Sequence, residues 1–268
     1  MQITDAQKQA FDNVGYAIIP GAIDAETLSM LREECAYFVG YIDGSMKARG
    51  REVYGITHRG KRYFISNRYR DSRRLVDFIF SDVMARVTSA FLGPDIFLFN
   101  EQWVVKGPEQ GMKFAWHQDS GYVNTRDPGN THKPYLTCWC ALDDMTESNG
   151  TIYVMPHDRA GTRDTVLPHV VEDGTNDLVG YTGDDPGELI EVAAGSIVVF
   201  SSTSLHRSTA NQTTRPRRAY LAQYSKEIVT REQGDLWAQG VPFLANHARV
   251  YDRERDLAGE FFYGARTP

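Results

Sequence analysis

Between Pro94 and Ser225 the chain breaks into short runs that are wholly apolar or alternate in polarity, divided by clusters of Gly, Pro, Asn and Asp. The runs are Ile96 to Lys106, Phe114 to His117, Tyr135 to Leu142, Thr151 to Met155, Leu189 to Val192, Ser196 to Ser201 and Arg218 to Ser225. A side-chain period of two with turn residues between runs is the pattern of antiparallel strands, and this many of them imply a closed barrel or a double sheet. The expected fold class is therefore mainly β with flanking helices, and 268 residues suffice for one such domain.

The helices are expected on the N-terminal side. Thr4 with Gln7 has the form of a capping box before Ala6 to Phe11, and Gly15 ends that helix. Tyr16 to Ile19 reads as a strand. Asp24 can cap a second helix bearing Leu28, Leu31, Cys35 and Phe38 on one face, and Ser81 a third bearing Met84, Val87 and Phe91. Between them, Lys47 to Arg74 holds ten Lys or Arg against Glu52 and Asp71. Such a run is ordinarily a solvated face; interleaved here with Tyr54, Tyr63, Phe64 and Tyr69, it also suits a lid that attracts an anion. Domain organisation follows: one domain over 1–268, with 1–93 a helical layer plus basic lid-like segment, 94–225 the β core, and 226–268 a C-terminal extension of loops with a short helix. The connection from Asp158 to Pro186 is acidic and Gly-rich, and is expected on the surface.

Composition excludes several classes of function. A net charge of -6 and a pI near 5.7 give no support to a nucleic-acid partner. No apolar run is long enough to span a bilayer, so no membrane role is expected. Cys35, Cys138 and Cys140 make no CxxC and are odd in number, which suits reduced thiols, and the N-terminus has no signal pattern. Those features make the cytoplasm the expected location; a monomer or homodimer is the expected state, though nothing in these features fixes it.

Two stretches carry chemistry: Trp116-His117-Gln118-Asp119 and Leu205-His206-Arg207-Ser208. If the first lies on a strand, His117 and Asp119 point to one side, and His206 from a distant strand can complete a set of ligands. Two His and one carboxylate on one face of an ion leave its other positions open, the facial arrangement of non-haem Fe(II) oxygenases. The same ligands also suit a zinc-dependent hydrolase, or a cupin-like binding protein without turnover.

Several further segments stand in order around these: Trp139-Cys140-Ala141-Leu142-Asp143-Asp144, Glu147-Ser148-Asn149-Gly150, Gly195-Ser196-Ile197-Val198-Val199-Phe200, then His206, Ser208, Asn211 and Arg217-Arg218-Ala219. With Ile3-Thr4-Asp5, Gly15-Tyr16 and Pro20-Gly21 upstream, the chain from about residue 3 to 225 resembles the phytanoyl-CoA dioxygenase family. The resemblance implies a double-stranded β-helix (jelly-roll, cupin-like) core, and Fe(II), O2 and 2-oxoglutarate as requirements. It implies His117, Asp119 and His206 as catalytic metal ligands, and Arg217 with Ser208 as the anchor for the distal carboxylate of 2-oxoglutarate. Gln102, Lys106 and Trp139 match residues that contact the co-substrate. Arg218 and Arg215 compete with Arg217 until strand register separates them.

Two departures from the family pattern stand out. Pro156-His157-Asp158-Arg159 replaces a Pro-Gly-Ser-His segment, and Arg207 stands where a Gly follows the distal His. Asp119 is retained, where related halogenases carry Ala or Gly, so the resemblance implies a hydroxylase. The substrate expected is a small or medium molecule, anionic if the basic segment faces the site.

Overall fold

Thr4 accepts the Gln7 backbone N–H on its hydroxyl while the Gln7 side chain accepts the Thr4 amide, and this reciprocal cap starts α1 (Asp5–Val14). In the computed structural model, which describes residues 2–108 and 112–261, α1 ends at Gly15 with φ of 88°. Any side chain there would be strained, and its Cβ would lie 2.4 Å from Nε2 of His157. β1 (Tyr16–Ile19) follows. Asp24 then caps α2 (Ala25–Ala48), whose Leu31, Cys35, Phe38, Ile42 and Met46 make its buried stripe.

The basic segment folds as β2 (Val53–Tyr54), β3 (Thr57–His58) and β4 (Arg62–Ser66), ahead of α3 (Arg73–Ile79) and the Ser81-capped α4 (Asp82–Leu92). β5 (Ile96–Lys106), β6 (Phe114–His117), α5 (Asp119–Arg126), β7 (Leu136–Ala141), β8 (Ile152–Val154) and α6 (His157–Ala160) come next. The long connection holds β9 (Val170–Val171) and β10 (Leu178–Val179). After it run β11 (Glu188–Leu189), β12 (Ile197–Ser201), β13 (His206–Ser208), β14 (Arg217–Ser225), β15 (Val241–Ala245), β16 (Ala248–Arg249) and α7 (Arg253–Leu257).

All the pairings are antiparallel. The larger sheet has the order β1-β12-β7-β14-β5-β4-β3-β2, with β15 joined to the start of β5 and to β16; the smaller is β11-β8-β13-β6. Strand alternation then makes two interiors. Tyr220, Ala222 and Tyr224 of β14 and Cys138 and Cys140 of β7 turn toward the helices, where they join Leu31, Phe38 and Val87. Trp139, Ala141, Ala219 and Leu221 turn the other way and meet Ile152 and Val154 of the smaller sheet. Each such buried large side chain contributes about 1.5–3 kcal/mol. The architecture is the expected mainly-β double-stranded β-helix with helices on one side, and the cysteines are free, buried thiols.

Three expectations need correction. The charge of the Lys47–Arg74 segment is largely balanced within the fold: Arg59 pairs with Glu52 and Asp43, Arg62 with Asp177, Arg70 with Asp256, and Arg74 with Glu33 and Glu34. Counting charge along the chain missed these partners because most are distant in sequence. The connection from Asp158 to Pro186 is not confined to the surface, since Asp177 is fully buried against Arg62 at 2.6 Å. The C-terminal stretch is more than loops and a helix, for β15 adds to the larger sheet; residues 262–268 lie outside the described residues.

Candidate metal centre and its cavity

His117 closes β6 and Asp119 opens α5, so the pair expected on one strand comes instead from a strand end and a helix start. The turn between them is held by Gln118. Its side-chain amide donates to the carbonyls of Thr165 and Thr203 at 2.8 and 2.6 Å and accepts the Leu167 N–H, while its backbone N–H donates to His169. His206 starts β13 directly across from His117, and the two imidazole centroids are 4.1 Å apart.

The three side chains are buried, and their inward atoms all lie within 4.8 Å of one another. Oδ1 of Asp119 is 3.9 Å from Nε2 of His117 and 3.8 Å from Nε2 of His206. Nδ1 of His117 donates to the Ala115 carbonyl at 2.9 Å and Nδ1 of His206 to that of Ser204 at 3.1 Å. Those bonds set the tautomer that leaves both Nε2 lone pairs inward. Burial, and then the neighbouring His206, hold the His117 pKa well below its ordinary value, so its imidazole stays neutral and able to ligate. Oδ2 of Asp119 accepts from Thr137 at 2.6 Å and from Gln223 at 2.9 Å, which leaves Oδ1 free for an ion. Two inward imidazole nitrogens and one carboxylate oxygen, with the remaining directions open, fit Fe(II).

Two buried basic side chains border the same cavity as the three converging atoms. Arg217 and Lys106 stand opposite each other on β14 and β5, both buried, with no carboxylate within ion-pair distance among the described residues. Nη2 of Arg217 donates to the Gly150 carbonyl at 2.7 Å, and the guanidinium carbon lies 5.7 Å from the Trp139 ring centroid. Its Nε and Nη1 are buried without partners. Burial lowers the Arg217 pKa to about 10, so it stays charged at neutral pH. Lys106 donates to the Thr209 carbonyl; burial first, and then Arg217 and Arg62, push its pKa well down. Arg218 turns the other way and pairs with Asp143 at 2.6 Å, and Arg215 is exposed. Register thus distinguishes three arginines that the sequence left in competition.

Every sequence-derived site residue borders one cavity of about 940 Å3: His117, Asp119, His206, Arg217, Ser208, Gln102, Lys106 and Trp139. Ser208 reaches it although the pairing of β13 with β6 slips between His206 and Ser208, so two-residue spacing was not a sufficient reason. Arg207 stands over the Tyr153 ring at 4.1 Å and donates to the Pro186 carbonyl. His157 contacts Ser204 Oγ at 2.9 Å beside Gly15, a packing role near the N-terminal helix.

Sequence reasoning missed Gln118, Thr137 and Gln223. For the last two there was a signal: Thr137 stands two before Trp139 and Gln223 six after Arg217, even spacings that put each on the inward face. Also missed were Tyr122 and Arg126 on α5, Arg231 and Trp237 beyond β14, and Leu178 of the long connection, all of which border the cavity.

A family model described as Phytanoyl-CoA dioxygenase (PhyH) matches residues 11–219. A phytanoyl-CoA dioxygenase domain-containing protein 1 of Danio rerio is 22% identical over 289 residues, covering 90% of this chain and 97% of that protein. A methylphosphonate hydroxylase of Gimesia maris is 28% identical over 174 residues, covering 64% of this chain and 58% of that protein. Among solved structures, EvdO2 from Micromonospora carbonacea var. aurantiaca complexed with 2-oxoglutarate has a TM-score of 0.63 at 22% identity, covering 94% of this chain and 95% of that one. This last likeness establishes the shared fold.

Proposed function

The chain belongs to the phytanoyl-CoA dioxygenase family of iron- and 2-oxoglutarate-dependent oxygenases, and from that premise we propose that His117, Asp119 and His206 hold the metal for hydroxylation of an unactivated C–H. One observation carries the reading. Two inward imidazole nitrogens and a carboxylate oxygen converge in the same cavity as an arginine with two unpartnered N–H groups.

Iron with 2-oxoglutarate and O2 supplies the oxidising chemistry when bound, converting the 2-oxo acid to succinate and CO2 and delivering one oxygen atom to the substrate. The chain's own residues do the rest. Ala115 and Ser204 carbonyls keep both imidazoles in the ligating tautomer, and Thr137 and Gln223 hold the outer oxygen of Asp119. Arg217, whose Nε and Nη1 are buried without partners, would hold the distal carboxylate of 2-oxoglutarate, with Ser208 and Lys106 of the same cavity assisting. Trp139, Ile152, Phe200 and Leu221 wall that end and exclude water. The remaining cavity orients the substrate.

The substrate in this reading is a small or medium organic anion. Support comes from the relative named for methylphosphonate hydroxylation and from cations at the cavity wall outside the Arg217 pocket. Among the described residues no helix is long and apolar enough to cross a membrane, and three buried free thiols suit a reducing compartment, so the reading includes the cytoplasm.

Anaerobic addition of Fe(II) and 2-oxoglutarate tests the assignment. An iron-to-keto charge-transfer band is expected for the wild type and not for His117→Ala, and succinate release in air should follow the same division. A band that persists in the variant overturns the ligand assignment.

A further inference from the structure

The cavity continues past the metal ligands along α5. Asp119, Tyr122 and Arg126 stand at positions i, i+3 and i+7 of this helix, hence on one face, and all three border the cavity. The Tyr122 ring centroid is 5.7 Å from that of His117, and the Arg126 guanidinium carbon is 5.9 Å from the Tyr122 centroid. Trp237 faces this guanidinium, also at 5.9 Å, and the Arg231 guanidinium lies at the same distance from the Trp237 ring. Two cations therefore flank one indole at the end of the cavity beyond the ligands.

Neither cation is neutralised. No carboxylate lies within ion-pair distance of Arg126 or Arg231 among the described residues. Asp127, next in sequence, instead accepts from the Asn130 side chain and the Glu232 backbone N–H. Nε of Arg231 and Nε1 of Trp237 are buried with no hydrogen-bond partner. Both are obligate donors, and buried donors without acceptors are uncommon enough to require a cause. Asp119 is the one carboxylate that borders the cavity among the described residues, and it faces the metal position. A group of donors and cations lacking an acceptor suits a ligand that brings anionic oxygens. Phe99, whose ring centroid is 5.7 Å from that of Trp237, and Tyr135 supply apolar wall between this group and the ligands.

We propose that Arg126, Arg231 and the indole N–H of Trp237 form a subsite for the acid group of the primary substrate, a carboxylate or phosphonate carried on an apolar or aromatic body. The proposal rests on the dioxygenase reading, since it takes Arg217 to be occupied by 2-oxoglutarate and leaves a second anion to the outer wall.

Calorimetric titration of the protein loaded with Mn(II) and saturating 2-oxoglutarate tests it. The probes are 4-phenylbutyrate, phenylphosphonate and the neutral 4-phenylbutyramide, which separate carboxylate from phosphonate and both from an uncharged body. At least one acid should bind, and the amide should not. Affinity for that acid should fall about ten- to a hundredfold in Arg126→Gln and in Arg231→Gln, the loss expected for one charge-assisted contact. Arg126→Lys and Arg231→Lys should keep part of it, and Arg86→Gln, on the exposed face of α4, should change nothing. Equal binding of acid and amide, undiminished acid binding in Arg126→Gln/Arg231→Gln, or no acid binding to the wild type overturns the subsite. Titration of 2-oxoglutarate into the Mn(II)-loaded protein separates the two readings: failure there removes the dioxygenase assignment, whereas success there with acid binding insensitive to both arginines removes the subsite alone.

Discussion

Gln223 Nε2 sits 2.9 Å from Asp119 Oδ2, so the strand that carries Arg217 also holds the Asp119 carboxylate in its rotamer. Thr137, opposite Gln223 on β7, donates to the same oxygen at 2.6 Å. Gln223→Leu should weaken Mn(II) or Fe(II) binding about ten- to a hundredfold, as loss of an outer-shell partner does elsewhere, while the fold persists. Metal titration checks this, and an unchanged dissociation constant would show that Asp119 needs no such hold.

Arg217 and Arg218 are adjacent and should behave as opposites. Arg217→Ala should raise the 2-oxoglutarate requirement about ten- to a hundredfold, because a buried charge-assisted contact contributes about 1.5–3 kcal/mol. Arg218→Ala breaks a partly exposed pair with Asp143 and should leave that requirement near the wild-type value. Measuring succinate release against 2-oxoglutarate concentration for both variants decides; a larger effect at Arg218 would reverse the strand-face assignment.

The Arg62–Asp177 pair is fully buried, and its arginine also donates to the carbonyls of Ile56, Lys113 and Thr175. Asp177→Ala strands that guanidinium without its carboxylate, for which the expected loss is about 3–5 kcal/mol. Urea unfolding at fixed pH should show it as a lower midpoint. A shift within error would mean that Arg62 finds another acceptor.

Glu101 is fully buried, and burial raises its pKa to about 7 although the Tyr220 hydroxyl and the Tyr69 and Arg68 amides favour its charged form. In an unfolded chain the group titrates near 4.5. Between these values the folded state keeps a proton that the unfolded state has released. Stability from this residue is thus present in full below about pH 4.5 and declines as pH rises through about 7, by about 3 kcal/mol in all. Glu101→Gln mimics the protonated acid and should flatten the decline. Urea midpoints at pH 5 and 7.5 for both proteins provide the comparison, and equal slopes would count against a raised pKa.

Strand and helix periodicity made the outer plan readable, because β5 and β6 coincide with their apolar runs and Thr4, Asp24 and Ser81 cap helices as read. The convergence of His117, Asp119 and His206 was legible through motif order, and the same order singled out Arg217, which strand register turns to the opposite face from Arg218. What stayed hidden was whatever depends on partners far along the chain. The charge of Lys47 to Arg74 gave no hint of Asp177 or Asp256, since ion pairing across more than a hundred residues leaves no local pattern. The start of α5 at Asp119 was hidden for a different reason: Gln118 turns the chain with side-chain bonds to Thr165, Leu167 and Thr203, none of them nearby in sequence.

The placement of Asp119 and Arg126 on one helix gives the cavity a measure of length. At about 1.5 Å of rise per residue, seven residues set these positions on the order of 10 Å apart along a rigid rod. With an acid group seated at Arg126, the carbon presented for oxidation is chosen by how far it stands from that group, so regioselectivity would follow chain length in a homologous series of acids. Lengthening α5 by one residue would move the outer cation both outward and around the helix, and would change the preferred position of attack without altering any metal ligand.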